Sequence, residues 1–124
     1  MGRREHCLSE ILMLDQNQLS ELVILITTEA EKSKADKLSE LVLERRLAAC
    51  ISFRQISSIY WWEEKLERDE EVQLIIKTTV SKIDELQDLI LKNHSYETPE
   101  LIQIPIKASE DYMLWVNKVT LSDK

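Results

Sequence analysis

The sequence predicts an α+β sandwich of element order βαββαβ followed by a terminal helix. Three observations predict it. Apolar runs suited to strands alternate with stretches whose apolar residues recur at helical spacing. Two long strand-like stretches flank one charged connection, as in a hairpin. The chain has 124 residues, the size of one domain with a single core.

Leu22-Val23-Ile24-Leu25-Ile26-Thr27 is a continuous apolar run, as expected of a strand heavily covered on at least one face. Ser33 and Asp36 can cap a helix in which Leu38, Leu41, Val42 and Arg45 share a face, Arg45 snorkelling from its rim. Residues 48–62 read as a long strand whose alternation slips at Arg54-Gln55, the mark of a bulge. Residues 63–70 form a charged hairpin connection and 71–79 the return strand, with Val72, Leu74 and Ile76 on one face.

Ser81 and Asp84 cap a second helix with the stripe Ile83, Leu86, Leu89 and Ile90. Its acidic start (Asp84, Glu85) and basic end (Lys92) suit the helix dipole. Leu101 to Ile106 is a short strand, and Pro105, which cannot donate in a ladder, marks an edge or a strand end. The last helix opens at Ser109 and buries Tyr112, Trp115, Val116 and Val119. Two right-handed crossovers joined by a central hairpin make a ferredoxin-like sandwich over 19–120, between a flexible extension (1–18, with a short helix around Leu8 to Leu14) and a polar tail (121–124). Gly2 is the sole glycine, so Asn, Asp or Lys must take any positive-φ turn positions.

Composition narrows the function classes. With 31% charged and 44% hydrophobic residues the chain is suited to a soluble globular fold. A net charge of −7 disfavours nucleic acid, because phosphate contacts need clustered Lys and Arg. Two cysteines, Cys7 and Cys50, do not make a disulfide framework. The run Leu22–Ile26 is too short to span a membrane, and Glu5, His6, Glu10 and Asp15 break up any signal-peptide core. Gly2 raises myristoylation, but His6 stands where that signal needs Ser or Thr. A cytoplasmic protein is the simplest expectation.

A four-stranded sheet covered on one face leaves its other face open. Tyr60, Trp61 and Trp62 near the tip of a long hairpin are liabilities unless another chain covers them. The sequence therefore predicts an oligomer. Trp61 and Trp62 alternate faces, so one can pack within the chain while the other meets a neighbour.

Several residues carry possible chemistry. His94, beside Tyr96, Glu97 and Glu100, has the ring type that most often ligates metals, while the plainer reading has it bonding a carbonyl at the helix end. Cys50 is a soft ligand for copper or zinc, or simply a small buried residue. Glu63, Glu64, Glu67, Asp69, Glu70 and Glu71 lack the spacing and the glycine of a calcium loop, and Lys65 and Arg68 interleave them, so a solvated hairpin is the better reading. Lys77, among apolar strand residues, needs a partner, for which Glu63 or Glu97, of the same or another subunit, are candidates. No nucleophile elbow, phosphate cradle or paired-His zinc helix points to an enzyme.

Leu47-Ala48-Ala49-Cys50-Ile51, Tyr60-Trp61-Trp62-Glu63, the strand through Lys77-Thr78-Thr79 and His94-Ser95-Tyr96-Glu97-Thr98-Pro99-Glu100, in this order, closely resemble the CutA family of divalent-cation tolerance proteins. Ser95 and Glu64 stand where that family usually has proline and glycine. The resemblance implies a homotrimer with sheets packed around a threefold axis and Tyr60, Trp61 and Trp62 at the interface. It also implies an inter-subunit cleft with Lys77, Tyr96 and Glu63. The expected function is weak binding of copper or another divalent metal ion through His94, Glu97 and, if exposed, Cys50. The alternative is a PII-like signalling or scaffold trimer holding a small metabolite or a protein partner in its clefts.

Overall fold

The computed structural model describes residues 19–121; the extension expected over 1–18 with its short helix, Cys7, and the end of the tail at 122–124 lie outside the described residues. The elements are β1 (Leu22–Glu29), α1 (Lys32–Glu44), β2 (Cys50–Trp62), β3 (Lys65–Thr79), α2 (Ile83–Asn93), β4 (Ile102–Ile106) and α3 (Glu110–Leu121). The four strands form one antiparallel sheet of order β2-β3-β1-β4, the ferredoxin-like arrangement. Pro105 lies on the edge strand, as its missing N–H requires.

Strand periodicity sorts the residues into two faces. Val23 and Leu25 of β1 and Val72, Leu74 and Ile76 of β3 point to the side covered by α1 and α2. They pack there with Ala35, Leu38, Val42, Ile83, Leu86, Leu89 and Ile90. The other face carries Ile24, Ile26, Ile75, Ile102 and Ile104, and Ile102 and Ile104 remain 46% and 42% exposed. Helix α3 packs against β3, and its buried Leu114 and Val116 lie outside the α1–α2 core. One end of the second face is therefore covered and the remainder is open.

Helices α1 and α2 keep their predicted stripes but not their predicted caps. Asp36 pairs with Lys32 at 2.5 Å, a helix i,i+4 contact, so α1 starts at Lys32 behind Glu31 with no side-chain cap. Helix α2 starts at Ile83 with no side-chain cap either, because the Ser81 hydroxyl is bonded to Thr79 (3.0 Å). At the end of α1, Leu47 N–H reaches Val42 O (3.1 Å) and Arg46 N–H reaches Leu43 O (3.0 Å), a Schellman ending. Arg46 sits there at φ 59, where glycine would be usual, and donates from Nη1 to Val119 O of α3 (3.3 Å).

Two expectations for the hairpin are corrected. The register runs unbroken from Cys50↔Lys77 to Trp62↔Lys65, so there is no bulge at Arg54-Gln55. The apolar alternation slips there for a different reason. Gln55 faces Val72, which is the last β3 residue paired with β1, and beyond it the hairpin leaves the sheet and has no core to face. The connection is also shorter than 63–70: Glu63 and Glu64 alone turn the chain, at φ 47 and 64. Positive φ at both central residues is the type I′ condition, normally met by Asn-Gly. Arg and Glu, and not Asn, Asp or Lys, hold the positive-φ positions.

Helix α3 is rotated from its expected setting. It buries Leu114, Val116, Asn117 and Thr120, with Tyr112, Trp115 and Val119 half-buried. Asn117 tolerates burial because its side chain accepts from Ser20 N–H (2.7 Å) and donates to Ser20 O (3.0 Å) and Met113 O (2.9 Å). It ties the helix to the entry of β1.

Candidate functional site

The segment after α2 is held against the end of β1. His94 ends the helix in an extended conformation (φ −79, ψ 148), and its side chain is fully buried. Nε2 lies 2.5 Å from Thr28 O and 3.3 Å from Thr27 Oγ1. A carbonyl only accepts, so Nε2 carries the hydrogen. Nδ1 accepts from the N–H of Tyr96 at 2.9 Å. The ring is therefore the neutral Nε2–H tautomer with both nitrogens engaged. It bonds a carbonyl, as the plainer reading of the sequence has it, but a carbonyl of β1 and not of its own helix.

Glu29 lies beside it, 1% exposed, and sequence reasoning missed it. Oε1 accepts from Ala30 N–H (3.1 Å) and Oε2 from Ser95 N–H (3.1 Å), while His94 Nδ1 is 3.6 Å away. A carboxylate this deeply buried stays only when hydrogen-bonded. The one available signal was an acid closing an otherwise apolar strand.

Tyr96 carries the segment over to the hairpin. Its hydroxyl donates to Glu71 Oε2 at 2.7 Å, and its ring packs against His94 with centroids 5.1 Å apart. Burial raises the Tyr96 phenol well above its ordinary value, and the hydrogen bond to Glu71 adds to the rise. Glu100 is also raised, by burial and then by the Glu71 charge. On the hairpin, Tyr60 donates to Asp69, which pushes its phenol up to about 12.

Lys77 and Cys50 face each other on β3 and β2, on the side away from α1 and α2. Lys77 Nζ donates to Ser52 Oγ at 2.6 Å and stands 3.7 Å from Cys50 Sγ. The partner that the sequence left open is thus Ser52 within the chain, where a carboxylate had been expected. Glu63 sits in the turn at the far end of the hairpin, 13 positions beyond Cys50, roughly 40 Å from Lys77. Within one chain, Lys77, Tyr96 and Glu63 do not meet.

The expected ligand set can be tested against this geometry. His94 has no free ring lone pair. Cys50 has an ammonium next to its sulfur, which opposes a cation there. Glu97 is exposed. Among the described residues no three His, Cys, Asp or Glu side chains group closely enough to hold a metal ion. A resident histidine–cysteine metal centre does not fit this chain's own donors.

The distal hairpin holds the interface candidates. Trp61 is 72% and Trp62 50% exposed, with Tyr60, Ile59 and Leu66 also open. Lys65 to Glu71 pairs only with β2, so this part is a bare two-stranded ribbon.

Comparisons with known proteins agree with this fold. The family model described as CutA1 divalent ion tolerance protein matches residues 23–119. The divalent-cation tolerance protein CutA of Citrobacter koseri is 39% identical over 111 residues, covering 85% of this chain and 96% of that protein. Among solved structures, the divalent ion tolerance protein CutA1 of Ehrlichia chaffeensis superposes with a TM-score of 0.78 at 31% identity, covering 82% of this chain and 96% of that one. CutA1 of Pyrococcus horikoshii gives 0.76 at 35% identity, covering 78% and 96%. Sequence, strand order and superposition converge, and the chain belongs to the CutA1 divalent ion tolerance family.

Proposed function

We propose that this protein serves in divalent-cation tolerance as a homotrimer that binds divalent cations weakly, through carboxylate oxygens. The relatives' names supply the cation. One observation selects the donors: both nitrogens of His94 are spent inside the chain, and Lys77 occupies the ground beside Cys50. Carboxylates remain. Glu71 and Glu100 lie close enough for one to raise the other, and exposed Glu97 is in the same segment as Glu100. A pair of oxygen donors completed by water, or by a further copy, suits hard divalent ions at low affinity. Copper, which favours nitrogen and sulfur, gains little from such a set.

The trimer draws support from the open isoleucine face and from the unsupported ribbon at 65–71. A lone two-stranded hairpin is marginal in water, and exposed Trp61 and Trp62 suit an interface.

The test is calorimetric titration of metal-stripped, tag-free protein with Cu(II), Zn(II), Co(II) and Mn(II). Glu71→Gln/Glu100→Gln, Cys50→Ser and His94→Gln are run alongside. Weak saturable binding that disappears in the double carboxamide variant and survives Cys50→Ser supports the reading. Tight copper binding abolished by Cys50→Ser or His94→Gln, with the carboxamide variant unaffected, overturns it.

A further inference from the structure

The first two N–H groups of the segment after His94 are held by side chains. Ser95 N–H donates to Glu29 Oε2 at 3.1 Å, and Tyr96 N–H donates to His94 Nδ1 at 2.9 Å. These two acceptor atoms stand 3.6 Å apart. Both belong to titratable side chains, and both side chains are buried within the single chain, at 0% and 1% exposure, so a further copy does not reach them. A proton placed between them therefore decides how the segment is fastened.

The neutral ring leaves no room for a second hydrogen. Nε2–H is committed to Thr28 O (2.5 Å), and Nδ1 gives its one lone pair to Tyr96 N–H. A proton added at Nδ1 turns that atom into a donor aimed at another donor. The acceptor within reach is Glu29 Oε2, which uses one lone pair on Ser95 N–H and keeps another. A buried imidazolium also needs the carboxylate charge beside it. The other titratable groups facing the ring are Tyr96 of its own segment and, behind Tyr96, Glu71 of β3. Glu31 before α1 and Asp88 and Lys92 of α2 are exposed.

We propose that His94 and Glu29 form a proton-operated latch on the segment at residues 95–100. With the ring neutral the latch is closed, and Tyr96 is held at both its backbone and its hydroxyl. Protonation at Nδ1 makes a hydrogen-bonded ion pair with Glu29 and expels Tyr96 N–H. Tyr96 then withdraws its hydroxyl from Glu71 Oε2, which it reaches at 2.7 Å in the closed state. Glu71 is the first β3 residue beyond the last pair with β1, Glu29↔Val72, so the tie that is lost lies at the root of the hairpin. Acid thus loosens the hairpin where it leaves the sheet, while the core stays folded. The latch does not rest on the cation reading, because every bond that changes lies within the chain and needs no cation.

The experiment follows the full-length, metal-free protein in its native assembly from about pH 8 to about pH 4, across the range where histidine titrates. Nitrogen-15 NMR reads the ring, and amide hydrogen exchange, corrected for its intrinsic pH dependence, reads the backbone. Tyr96 N–H should lose about tenfold or more of its protection in step with proton uptake at Nδ1, as one hydrogen bond is given up. Ser20 N–H, held by Asn117 Oδ1 at 2.7 Å at the far end of β1, should keep its own. His94→Gln, neutral at every pH, should hold Tyr96 N–H protection flat across the range. Glu29→Gln serves if that variant does not fold, and should move the loss to lower pH by removing the charge that receives the added proton. The proposal is overturned if no proton reaches Nδ1 across the range, or if Nδ1 takes one up while Tyr96 N–H stays protected. It is equally overturned if Tyr96 and Ser20 lose protection together, or if the variant loses Tyr96 protection at the same pH as the parent.

Discussion

His94 donates its Nε2 hydrogen to the carbonyl of Thr28 across 2.5 Å, and this bond decides what the family's histidine segment can do in this chain. With Nδ1 accepting from Tyr96 N–H at 2.9 Å, the ring is a connector between β1 and the segment at 94–100. Nitrogen-15 NMR of the ring should show the neutral Nε2–H tautomer at neutral pH, unchanged by one equivalent of Zn(II). His94→Ala leaves a buried carbonyl and an N–H without partners. It should cost about 2–3 kcal/mol in urea denaturation at fixed protein concentration.

The hairpin turn is strained by its composition. Glu63 and Glu64 both lie in the left-handed region, at φ 47 and 64, without glycine to relieve it. Glu64→Gly should stabilise the protein by about 1 kcal/mol, read as a higher denaturation midpoint with an unchanged slope. A destabilised variant would show that the Glu64 side chain makes a contact worth more than the strain.

Tyr96 links the buried histidine to the hairpin through Glu71 Oε2. Tyr96→Phe should cost about 1 kcal/mol at neutral pH. The phenol is raised in the folded state above its ordinary 10.0, so its stabilising contribution is complete below pH 10. It is lost as pH rises, because the unfolded tyrosine ionises first. The gap between parent and variant should therefore close in alkali, as measured by denaturation from neutral pH to above pH 10. A constant gap would mean that the ring, and not the hydroxyl, matters.

Glu100 carries the opposite consequence at neutral pH. Burial and the Glu71 charge raise it above 4.5, so its favourable protonated form is complete in acid and is lost as pH rises through the raised value. Glu100→Gln should stabilise the metal-free protein near pH 7 by about 0.5 kcal/mol or less, given solvent screening, and should have no effect in acid. Divalent cation, if it binds between these carboxylates, should erase that advantage. Thermal melts with and without Mn(II) at the two pH values measure both effects.

Trp61 and Trp62 are the most exposed aromatic pair on the chain's hairpin, at 72% and 50%. Trp61→Ser and Trp62→Ser should each weaken the trimer, shifting its dissociation into a concentration range that sedimentation velocity can follow. A trimer that both variants leave intact would move the interface off the hairpin tip and onto the isoleucine face alone.

The fold was legible because its signals are local. The Leu22–Thr27 run, the α2 stripe and the motif at residues 94–100 each report on neighbours a few positions away. Misreadings came where a residue's partner was distant or where its environment changed along an element. The slip at Arg54-Gln55 looked like a bulge, but it marks the point where the hairpin outgrows β1, which only the register with Glu29↔Val72 reveals. The buried stripe of α3 shifted toward Asn117 and Thr120 because Asn117 pairs with Ser20, 97 positions away.

By itself the sequence determined the element order, the place of Pro105 at an edge or strand end, the apolar faces of α1 and α2 and the family, since all of these follow from periodicity, backbone chemistry and motif spacing. Only the tertiary structure decided the chemistry. It spent both nitrogens of His94 on Thr28 and Tyr96, buried Glu29 with two backbone N–H donors, and left Lys77 facing Ser52 and Cys50 with no carboxylate beside it. The physical reason is that a donor's or charge's capacity for ligand is what remains after its neighbours are satisfied. The deciding neighbours, Thr28 for His94, Ser95 for Glu29 and Ser52 for Lys77, lie 66, 66 and 25 positions away in sequence and are brought together only by folding.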